Sequence, residues 1–242
     1  MKTHNIAYKD DDVSLRGFLA YDETQSGQRP GILVMPGGFG LGGNAKRRVE
    51  MLAELGYVAF AGDPYGNGIE INEIDEVMKR VTVLRADPAT FRQRAQVALD
   101  TLARLPQVNP NQLAAIGYCL GGTFVLELAR DGAPLTGVVT FHGGLETKSP
   151  ATAGQVRAKI LVCTGADDPS VPVTHVQAFA DEMTQAGVDW QIMSYGSTQH
   201  GFTYPDAASR GIDWIAYNKL ADKRSWTAMQ AFFAEIFGSG DE

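Results

Sequence analysis

A cysteine occupies the centre of a Gly-x-Cys-x-Gly pattern in residues 117–121. An apolar run precedes the pattern and an apolar helical pattern follows it, which predicts a strand, a sharp turn and a helix with Cys119 at the turn. The N–H groups of a helix that begins just after Cys119 would stabilise a thiolate and later an oxyanion. The pattern therefore predicts a nucleophilic cysteine, and its alternative is a buried structural thiol.

A carboxylate and a histidine follow the cysteine in the order nucleophile, acid, histidine, which is one known chain order of a catalytic triad. Asp167 and Asp168 come after one apolar strand pattern, and His200 comes after a later one. In a parallel sheet the loops after the strands meet at one edge, so these side chains are expected to converge on Cys119. Spacing alone does not separate Asp167 from Asp168.

A glycine-rich segment suggests a different chemistry. Residues 38–43 fit the pattern Gly-x-Gly-x-x-Gly between a predicted strand and a predicted helix, and Asp63 lies at the end of the next strand. This arrangement is typical of dinucleotide-binding loops, where helix N–H groups hold a pyrophosphate and the acid holds a ribose hydroxyl. The same glycines would also let the loop approach a reacting carbonyl. Dinucleotide binding by Gly38, Gly43 and the residues between them is therefore an alternative.

The elements that would position these residues alternate between strands and helices along most of the chain. This alternation predicts an α/β fold with a mostly parallel central sheet and helices on both faces, as a single domain over residues 1–242. Residues 66–87 mix charged and apolar residues without a clean period, which predicts an excursion over the sheet edge or a partial lid. The last helix is predicted at residues 222–237.

Composition excludes several function classes. The chain has 242 residues and a net charge of −7, which argues against a nucleic-acid surface, and Lys46, Arg47 and Arg48 are interpreted as one solvated helix face. No apolar run is long enough to span a membrane and the first residues lack a signal peptide, so a cytoplasmic location is expected. The two cysteines form no disulfide framework, and Cys163 is predicted to be an inert core thiol. No metal-ligand spacing is found, and no cofactor is expected.

Three segments together resemble the dienelactone hydrolase family of α/β-hydrolases, and the resemblance covers nearly the whole chain. The segments are Gly-Tyr-Cys-Leu-Gly-Gly at 117–122, Gly-x-x-Asp-x-x-Val-Pro at 165–172 and His-Gly-Phe at 200–202. The resemblance implies an α/β-hydrolase fold and a catalytic triad of Cys119, His200 and Asp168. Asp168 is preferred to Asp167 because it takes the family's acid position, three residues before Val171.

The remaining site residues are predicted around this triad. Leu120, at the start of the helix, would provide one backbone N–H of an oxyanion hole, and alignment with the family points to Gly38 for the second. His142 follows a strand but precedes the acid, so it is predicted to be a structural or pocket residue. Trp214 is assigned to the core. The substrate pocket is predicted to be apolar and aromatic, lined by Gly37, Phe39, Tyr65, Tyr118, His142, Phe202 and Tyr204.

Two positions depart from the family pattern. A typical member has a glutamate in the loop after the third strand, where this chain has Gly37. The member that acts on dienelactones has an arginine four residues after the histidine, where this chain has Tyr204. Without that arginine, an anionic lactone loses a bidentate partner. A neutral ester is therefore expected to be preferred to dienelactone.

These observations predict a hydrolase of neutral carboxylic esters or lactones that works through a Cys119 thiolate and a covalent acyl-enzyme. Dienelactone hydrolysis proper and organophosphate triester hydrolysis are alternatives on the same triad. A dinucleotide-binding protein and a non-catalytic hydrolase-like binding protein are alternatives of another class. The expected partner is a small-molecule ester or lactone, with neither nucleic acid nor membrane, and the chain is expected to be a monomer or homodimer.

Overall fold

The structure, a computed structural model, describes residues 1–238 and contains an eight-stranded sheet. The spatial order of the strands is β1-β2-β4-β3-β5-β6-β7-β8, numbered along the chain. Strand β2 is antiparallel to both of its neighbours, and the pairs from β4 to β8 are parallel. The predicted mostly parallel sheet is confirmed. The strands are β1 (Lys2–Asp10), β2 (Val13–Tyr21), β3 (Arg29–Met35), β4 (Val58–Ala61), β5 (Val108–Tyr118), β6 (Gly137–Phe141), β7 (Lys159–Gly165) and β8 (Trp190–Tyr195).

Helices cover both faces of the sheet, as predicted. The helices are α1 (Gly43–Glu54), α2 (Ile74–Ala86), α3 (Pro88–Ala103), α4 (Leu120–Arg130), α5 (Val173–Gln185) and α6 (Lys219–Phe237). The side chains of strand β3 alternate between two hydrophobic cores, one on each face of the sheet. Leu33 and Met35 pack with residues of α3, α4 and α5, whereas Ile32 and Val34 pack with residues of α1 and α6. All four side chains are fully buried, as expected of a central strand covered on both faces.

Helix α6 begins three residues before its predicted start. The side chain of Asn218 accepts hydrogen bonds from the N–H groups of Leu220 and Ala221, each at 3.1 Å. This N-cap satisfies two of the backbone donors that a helix start leaves without partners. The helix therefore begins at Lys219, ahead of its first inward-facing aromatic residue.

Arg48 is buried, so its assignment to a solvated helix face is wrong. It belongs to α1, and its guanidinium forms an ion pair with Asp222 of α6 and donates a 3.1 Å hydrogen bond to the carbonyl of Thr203. The partner comes from a helix far along the chain, which the pattern of α1 alone does not reveal. Lys46 and Arg47 are partly exposed, which agrees better with the predicted solvated helix face.

Residues 66–87 pack over the glycine-rich loop that follows β3. The N–H of Leu41 bonds to the carbonyl of Ile69 and the N–H of Ile71 bonds to the carbonyl of Phe39, so backbone hydrogen bonds join the two segments. The segment ends in α2, whose Val77 and Val81 side chains lie against Gly38. The segment therefore covers part of the predicted site, and its action as a lid stays a prediction.

None of the helices within residues 1–238 combines the length and the apolar character that crossing a membrane requires.

Candidate active site

Cys119 lies on a tight turn between β5 and α4. Its backbone has a φ of 52° and a ψ of −117°, which is strained for a residue that carries a side chain. A Cβ added at Gly117 would collide with the backbone of Gly121, and one added at Gly121 would collide with the backbone of Met35. The two glycines therefore let the strand, turn and helix approach closely enough to present the thiol at the edge of the sheet.

Backbone N–H groups from two elements approach the thiol. Leu120 is the first residue of α4, a position whose N–H has no partner inside the helix. The N–H of Gly38, in the loop after β3, points towards the sulfur of Cys119. The hydroxyl of Tyr65 donates a 2.8 Å hydrogen bond to the Gly38 carbonyl and so holds this loop in place. The two predicted oxyanion donors are thus near the thiol, and their catalytic role stays a prediction.

Asp168 and His200 form a buried pair. Asp168 Oδ2 lies 2.7 Å from His200 Nδ1, and the two residues are only 3% and 4% exposed. The other carboxylate oxygen accepts a 2.8 Å hydrogen bond from the N–H of Ser170, which fixes the orientation of the acid. Asp167 is exposed to solvent. The structure therefore separates the two aspartates that spacing alone leaves equivalent.

The surroundings of Cys119 and His200 favour a thiolate beside an imidazolium. Burial raises the pKa of the Cys119 thiol, but His200, Arg85 and the Gly38 N–H outweigh it, and the pKa falls below its ordinary value. Burial lowers the pKa of His200, whereas the charge of Cys119 and the hydrogen bond to Asp168 raise it to about 10. Within residues 1–238, Nε2 of His200 has no partner at full hydrogen-bond geometry, so its contact with the sulfur is loose. Such contacts often tighten when substrate binds.

His142 packs against the ring of His200, in a position that suits a structural role. It is fully buried, and its Nε2 lies 2.8 Å from the hydroxyl oxygen of Thr203. Burial, followed by the positive charge of His200, lowers the pKa of His142 well below its ordinary value, so the ring is neutral. Of the two predicted roles, the structural one agrees with this position.

Several aromatic residues predicted to line the substrate pocket belong to the core. Tyr118 stacks on Phe141 with ring centroids 4.7 Å apart, and Phe202 is fully buried against His142. Tyr118 and Phe202 belong to the cluster on the face of the sheet that α1 and α6 cover, and their role as pocket residues stays a prediction. Trp214, predicted to be in the core, is instead 36% exposed, and its ring centroid lies 5.3 Å from that of His200.

Four of the predicted pocket residues border a very small space. Gly37, Phe39, Tyr118 and Tyr204 border a cavity of about 20 Å³, which has room for about one water molecule. Tyr204 is buried, and a Cβ built at Gly37 would overlap its hydroxyl oxygen. The small cavity is therefore a feature of the loop packing beside Cys119 rather than a place for an ester.

A larger cavity of about 290 Å³ lies beside the turn that carries Cys119. Its wall includes Thr123, whose N–H lies 3.4 Å from the Cys119 carbonyl, and Ser170, whose N–H bonds to Asp168. Arg85 of α2 also lines it. This wall is more polar than the predicted aromatic pocket. Sequence reasoning missed Arg85 because the segment that contains it has no clean apolar period.

The glycine-rich loop is closed by protein contacts rather than open to a phosphate. The N–H of Leu41 bonds to the carbonyl of Ile69, and the carboxylate of Glu70 packs against Gly42 at the start of α1. A pyrophosphate needs free N–H groups and no opposing negative charge at that position. This geometry contradicts the dinucleotide alternative. The carboxylate of Asp63 is also occupied, because it accepts hydrogen bonds from the backbone N–H groups of Arg16, Tyr65, Gly66 and Gly68.

The second thiol of the chain has the character expected of a core residue. Cys163 is fully buried in β7, and burial raises the pKa of its thiol to about 12. A thiol in that state is a poor nucleophile near neutral pH. In the part of the chain that the structure describes, no three His, Cys, Asp or Glu side chains are arranged to hold a metal ion.

Comparison with known proteins shows which structures and sequences this chain resembles. A solved dienelactone hydrolase-like promiscuous phosphotriesterase from metagenomic libraries is 42% identical, with a TM-score of 0.93 over 97% of this chain and 98% of that chain. A solved protein named m3DLH is 44% identical, with a TM-score of 0.94 over the same shares. An uncharacterized Caenorhabditis elegans protein, K02A2.1, is 33% identical over 154 residues, which are 61% of this chain and 94% of that protein.

The family assignment rests on a match over most of the chain. The model of the dienelactone hydrolase family matches residues 15–237. That span contains the turn at Cys119, the Asp168–His200 pair, most of β2 and all of β3 to β8. The chain therefore belongs to the dienelactone hydrolase family and has the α/β-hydrolase fold.

Proposed function

We propose that this member of a hydrolase family cleaves neutral carboxylic esters or lactones, with Cys119 as the nucleophile and a covalent acyl-enzyme as the intermediate. The observation that carries the proposal is the buried Asp168–His200 pair next to a half-buried thiol at the start of a helix. The loop–strand topology brings these three groups together from distant parts of the chain. A purely structural cysteine would need neither the strained turn nor the charged histidine.

In the proposed mechanism, the Cys119 thiolate attacks the ester carbonyl and forms a C–S bond. The N–H groups of Leu120 and Gly38 stabilise the oxyanion, and each such donor contributes about 3 kcal/mol, roughly a hundredfold in rate. The His200 imidazolium then gives its proton to the departing alkoxide as the C–O bond breaks. Neutral His200 next removes a proton from water, whose oxygen attacks the thioester and releases the acid and the thiolate. Asp168 holds the ring and stabilises its charged form.

The residue at the position of the family's substrate-binding arginine is uncharged in this chain. Tyr204 replaces the arginine that the family resemblance predicts for binding a substrate carboxylate. Burial raises the pKa of its hydroxyl well above the ordinary value, so this group carries no charge. Arg85 is on the other side, in the larger cavity, and it is the group through which an anionic lactone would be accepted if dienelactone hydrolysis proper were the activity.

The second candidate activity is hydrolysis of a neutral organophosphate triester. The observation in its favour is the 42% identical structure that is described as a promiscuous phosphotriesterase. The same thiolate would attack phosphorus, and the same two N–H groups would face the phosphoryl oxygen. A good leaving group is required, and water must then cleave the P–S bond for turnover.

One experiment separates these activities from a non-catalytic binding role. The protein is incubated with p-nitrophenyl acetate, with and without prior alkylation by iodoacetamide, and the modified thiol is mapped by mass spectrometry. We expect turnover that is lost in proportion to alkylation of Cys119, and a Cys163→Ser variant that keeps it. Absence of turnover by unmodified protein contradicts the esterase proposal, and turnover that survives complete Cys119 alkylation contradicts the thiolate.

Substrate class is tested with a panel of neutral esters, an anionic lactone and a phosphotriester with a p-nitrophenolate leaving group. We expect the highest kcat/KM for a neutral ester. The variant Arg85→Gln should lower kcat/KM for the anionic lactone more than for a neutral ester. Both substrates lose the stabilisation that Arg85 gives the Cys119 thiolate, but only the lactone also loses a charge-assisted contact. A clear preference of the wild-type protein for the anionic lactone would make dienelactone hydrolysis the better assignment.

A further inference from the structure

A network of ion pairs lies beside the larger cavity and takes no part in the proposed mechanism. It is formed by Arg92 of α3, Glu127 and Arg130 of α4, and Glu182 of α5. Glu127 and Arg130 are only 4% and 1% exposed. One carboxylate oxygen of Glu127 accepts hydrogen bonds of 3.0 and 2.9 Å from Arg92, and the other accepts one of 3.0 Å from Arg130. A buried carboxylate with partners on both oxygens is held in one orientation.

The two arginines of the network hold the backbone of residues 144–151, which lie between β6 and β7 and belong to no helix or strand. Arg130 donates a 2.8 Å hydrogen bond to the carbonyl of Leu145, and Arg92 donates one of 3.2 Å to the carbonyl of Ser149. A loop has no neighbouring strand to satisfy its buried carbonyls, so side chains must do so. Hydrogen bonds from charged donors are the stronger kind, and these two fix the course of the loop.

A third contact with the loop comes from α5. The carboxylate of Glu182 accepts a 2.8 Å hydrogen bond from the N–H of Ala151, and its two oxygens accept hydrogen bonds of 2.8 Å each from Arg130. The network therefore joins three helices to one loop. Loss of one member would loosen the loop and leave the proposed triad in place.

The same loop forms one wall of the cavity of about 290 Å³ beside the Cys119 turn. The loop contributes Gly144, Glu146, Thr147 and Lys148 to the wall, and the helices contribute Pro88 and Phe91 from α3 and Thr123 and Glu127 from α4. Pockets for small molecules usually enclose about 300–1,000 Å³, so this cavity is at the small end of the range. In so small a space, the position of one loop decides which groups fit.

The cavity lies away from the place of the leaving group. In the proposed mechanism the alkoxide takes its proton from His200, whose ring packs against His142 and Trp214. None of these three residues belongs to the cavity wall that residues 1–238 form. Thr123, one helical turn after Cys119, does belong to it. The cavity is therefore the space on the acyl side of the ester, which stays bonded to the thiolate when the alkoxide leaves.

We propose that the network sets the acyl selectivity of the site by holding residues 144–151 as a wall of the acyl cavity. Arg92 and Arg130 are positioning residues, because they touch the loop and the loop faces the acyl chain. An acetyl group is too short to reach the loop, whereas a hexanoyl chain enters the cavity and contacts it. This inference rests on the proposed hydrolysis of esters.

The test uses Arg92→Met, which keeps the packing of the side-chain stem and removes its hydrogen bonds, while Glu127 keeps Arg130 as a partner. Steady-state kinetics is measured for p-nitrophenyl acetate and p-nitrophenyl hexanoate, which share one leaving group. We expect KM for the hexanoate to rise roughly tenfold, because binding of the long chain depends on the loop. Both kcat values and KM for the acetate should stay within about twofold of wild type. An unchanged KM for the hexanoate, or an equal rise for both esters, overturns the inference.

Asp131→Asn is the matched control. Asp131 is half exposed at the end of α4, and within residues 1–238 its carboxylate pairs with Arg92 and not with the loop. This variant removes an ion pair of the same arginine without removing a contact to residues 144–151, so KM for the hexanoate should equal that of wild type. A rise as large as in Arg92→Met would assign the effect to the lost charge rather than to the loop, and would also overturn the inference.

Hydrogen exchange measured by mass spectrometry follows the loop without turnover. Peptides that cover residues 144–151 should exchange faster in Arg92→Met than in wild type, and peptides from β5 should keep their protection if the fold is intact. Equal exchange of the loop in both proteins would contradict its attachment through Arg92. Turnover of neither ester by wild type would overturn the proposed function together with the inference, whereas wild-type turnover with an unchanged hexanoate KM in Arg92→Met overturns the inference alone.

Discussion

His142 and His200 lie edge to face with ring centroids 5.0 Å apart, yet only His200 holds a carboxylate. The partner of His142 is the Thr203 hydroxyl, which cannot compensate a positive charge. Burial and the neighbouring charge of His200 keep the pKa of His142 low, whereas the pKa of His200 is raised to about 10. Two adjacent imidazoles therefore favour opposite protonation states at neutral pH, which supports the proposal that His200 rather than His142 transfers the proton.

Replacing each of these histidines by alanine should give clearly different losses of activity. We expect His200→Ala to lower kcat for p-nitrophenyl acetate by roughly 10²–10⁴, the range for a positioned general acid–base. We expect His142→Ala to lower kcat by roughly tenfold or less, through looser packing behind His200. Thermal unfolding of both variants provides the check on folding. Comparable losses of kcat in the two folded variants would mean that the base is misassigned.

The proposed acid of the triad can be tested with two adjacent aspartates as a matched pair. Asp168→Asn should lower kcat by roughly 10²–10⁴, because an amide cannot stabilise the imidazolium and favours the wrong tautomer of His200. Asp167→Asn should leave kcat unchanged, since Asp167 is exposed. Steady-state kinetics at saturating substrate gives the comparison. A large loss in Asp167→Asn with little effect in Asp168→Asn would reverse the assignment.

The pH dependence of thiol alkylation should differ between the two cysteines. The pKa of Cys119 lies below its ordinary value, so its thiolate persists as the pH falls below 9.0 and is lost only at lower pH. Burial raises the pKa of Cys163 to about 12, so it should stay unmodified across the neutral range. Turnover of an ester should also depend on pH. It should decline as the pH rises through about 10, because His200 loses its proton there. An alkylation midpoint of Cys119 at or above 9.0 would contradict the stabilised thiolate.

The general arrangement follows from the sequence because simple rules govern it. Alternating strands and helices produce a parallel sheet, and loops after parallel strands meet at one edge. Cys119, Asp168 and His200 each follow such a strand, so their convergence needs no knowledge of side-chain packing. The sequence also predicts the turn, because Gly117 and Gly121 are required where the backbone segments approach each other closely.

The lining of the site does not follow from the sequence, because it depends on side-chain direction. Tyr118 directly precedes Cys119 but packs into the core, whereas Trp214 lies far along a loop and is exposed beside His200. The two departures from the family pattern, Gly37 and Tyr204, look independent in the sequence. In the structure they are one feature, since the absent side chain of Gly37 makes room for the Tyr204 hydroxyl.

The buried ion pair between Arg48 and Asp222 should contribute strongly to stability. Arg48 is 1% exposed, and its guanidinium also lies 5.4 Å from the Tyr118 ring centroid and 5.2 Å from that of Trp226. Asp222→Ala leaves this buried cation without a charged partner and should lower the free energy of unfolding by about 3–5 kcal/mol.

Urea denaturation of Asp222→Ala measures this loss, and the exposed pair between Lys159 and Glu235 provides the control. Glu235→Ala should cost at most about 1 kcal/mol, because solvent screens that pair. Helix α6, which carries Asp222, follows the loop that contains His200, and Arg48 also holds the carbonyl of Thr203 in that loop. We therefore expect kcat of Asp222→Ala to fall as well, through a less ordered His200. Equal and small stability losses in the two variants would mean that solvent can replace Asp222 as the partner of Arg48.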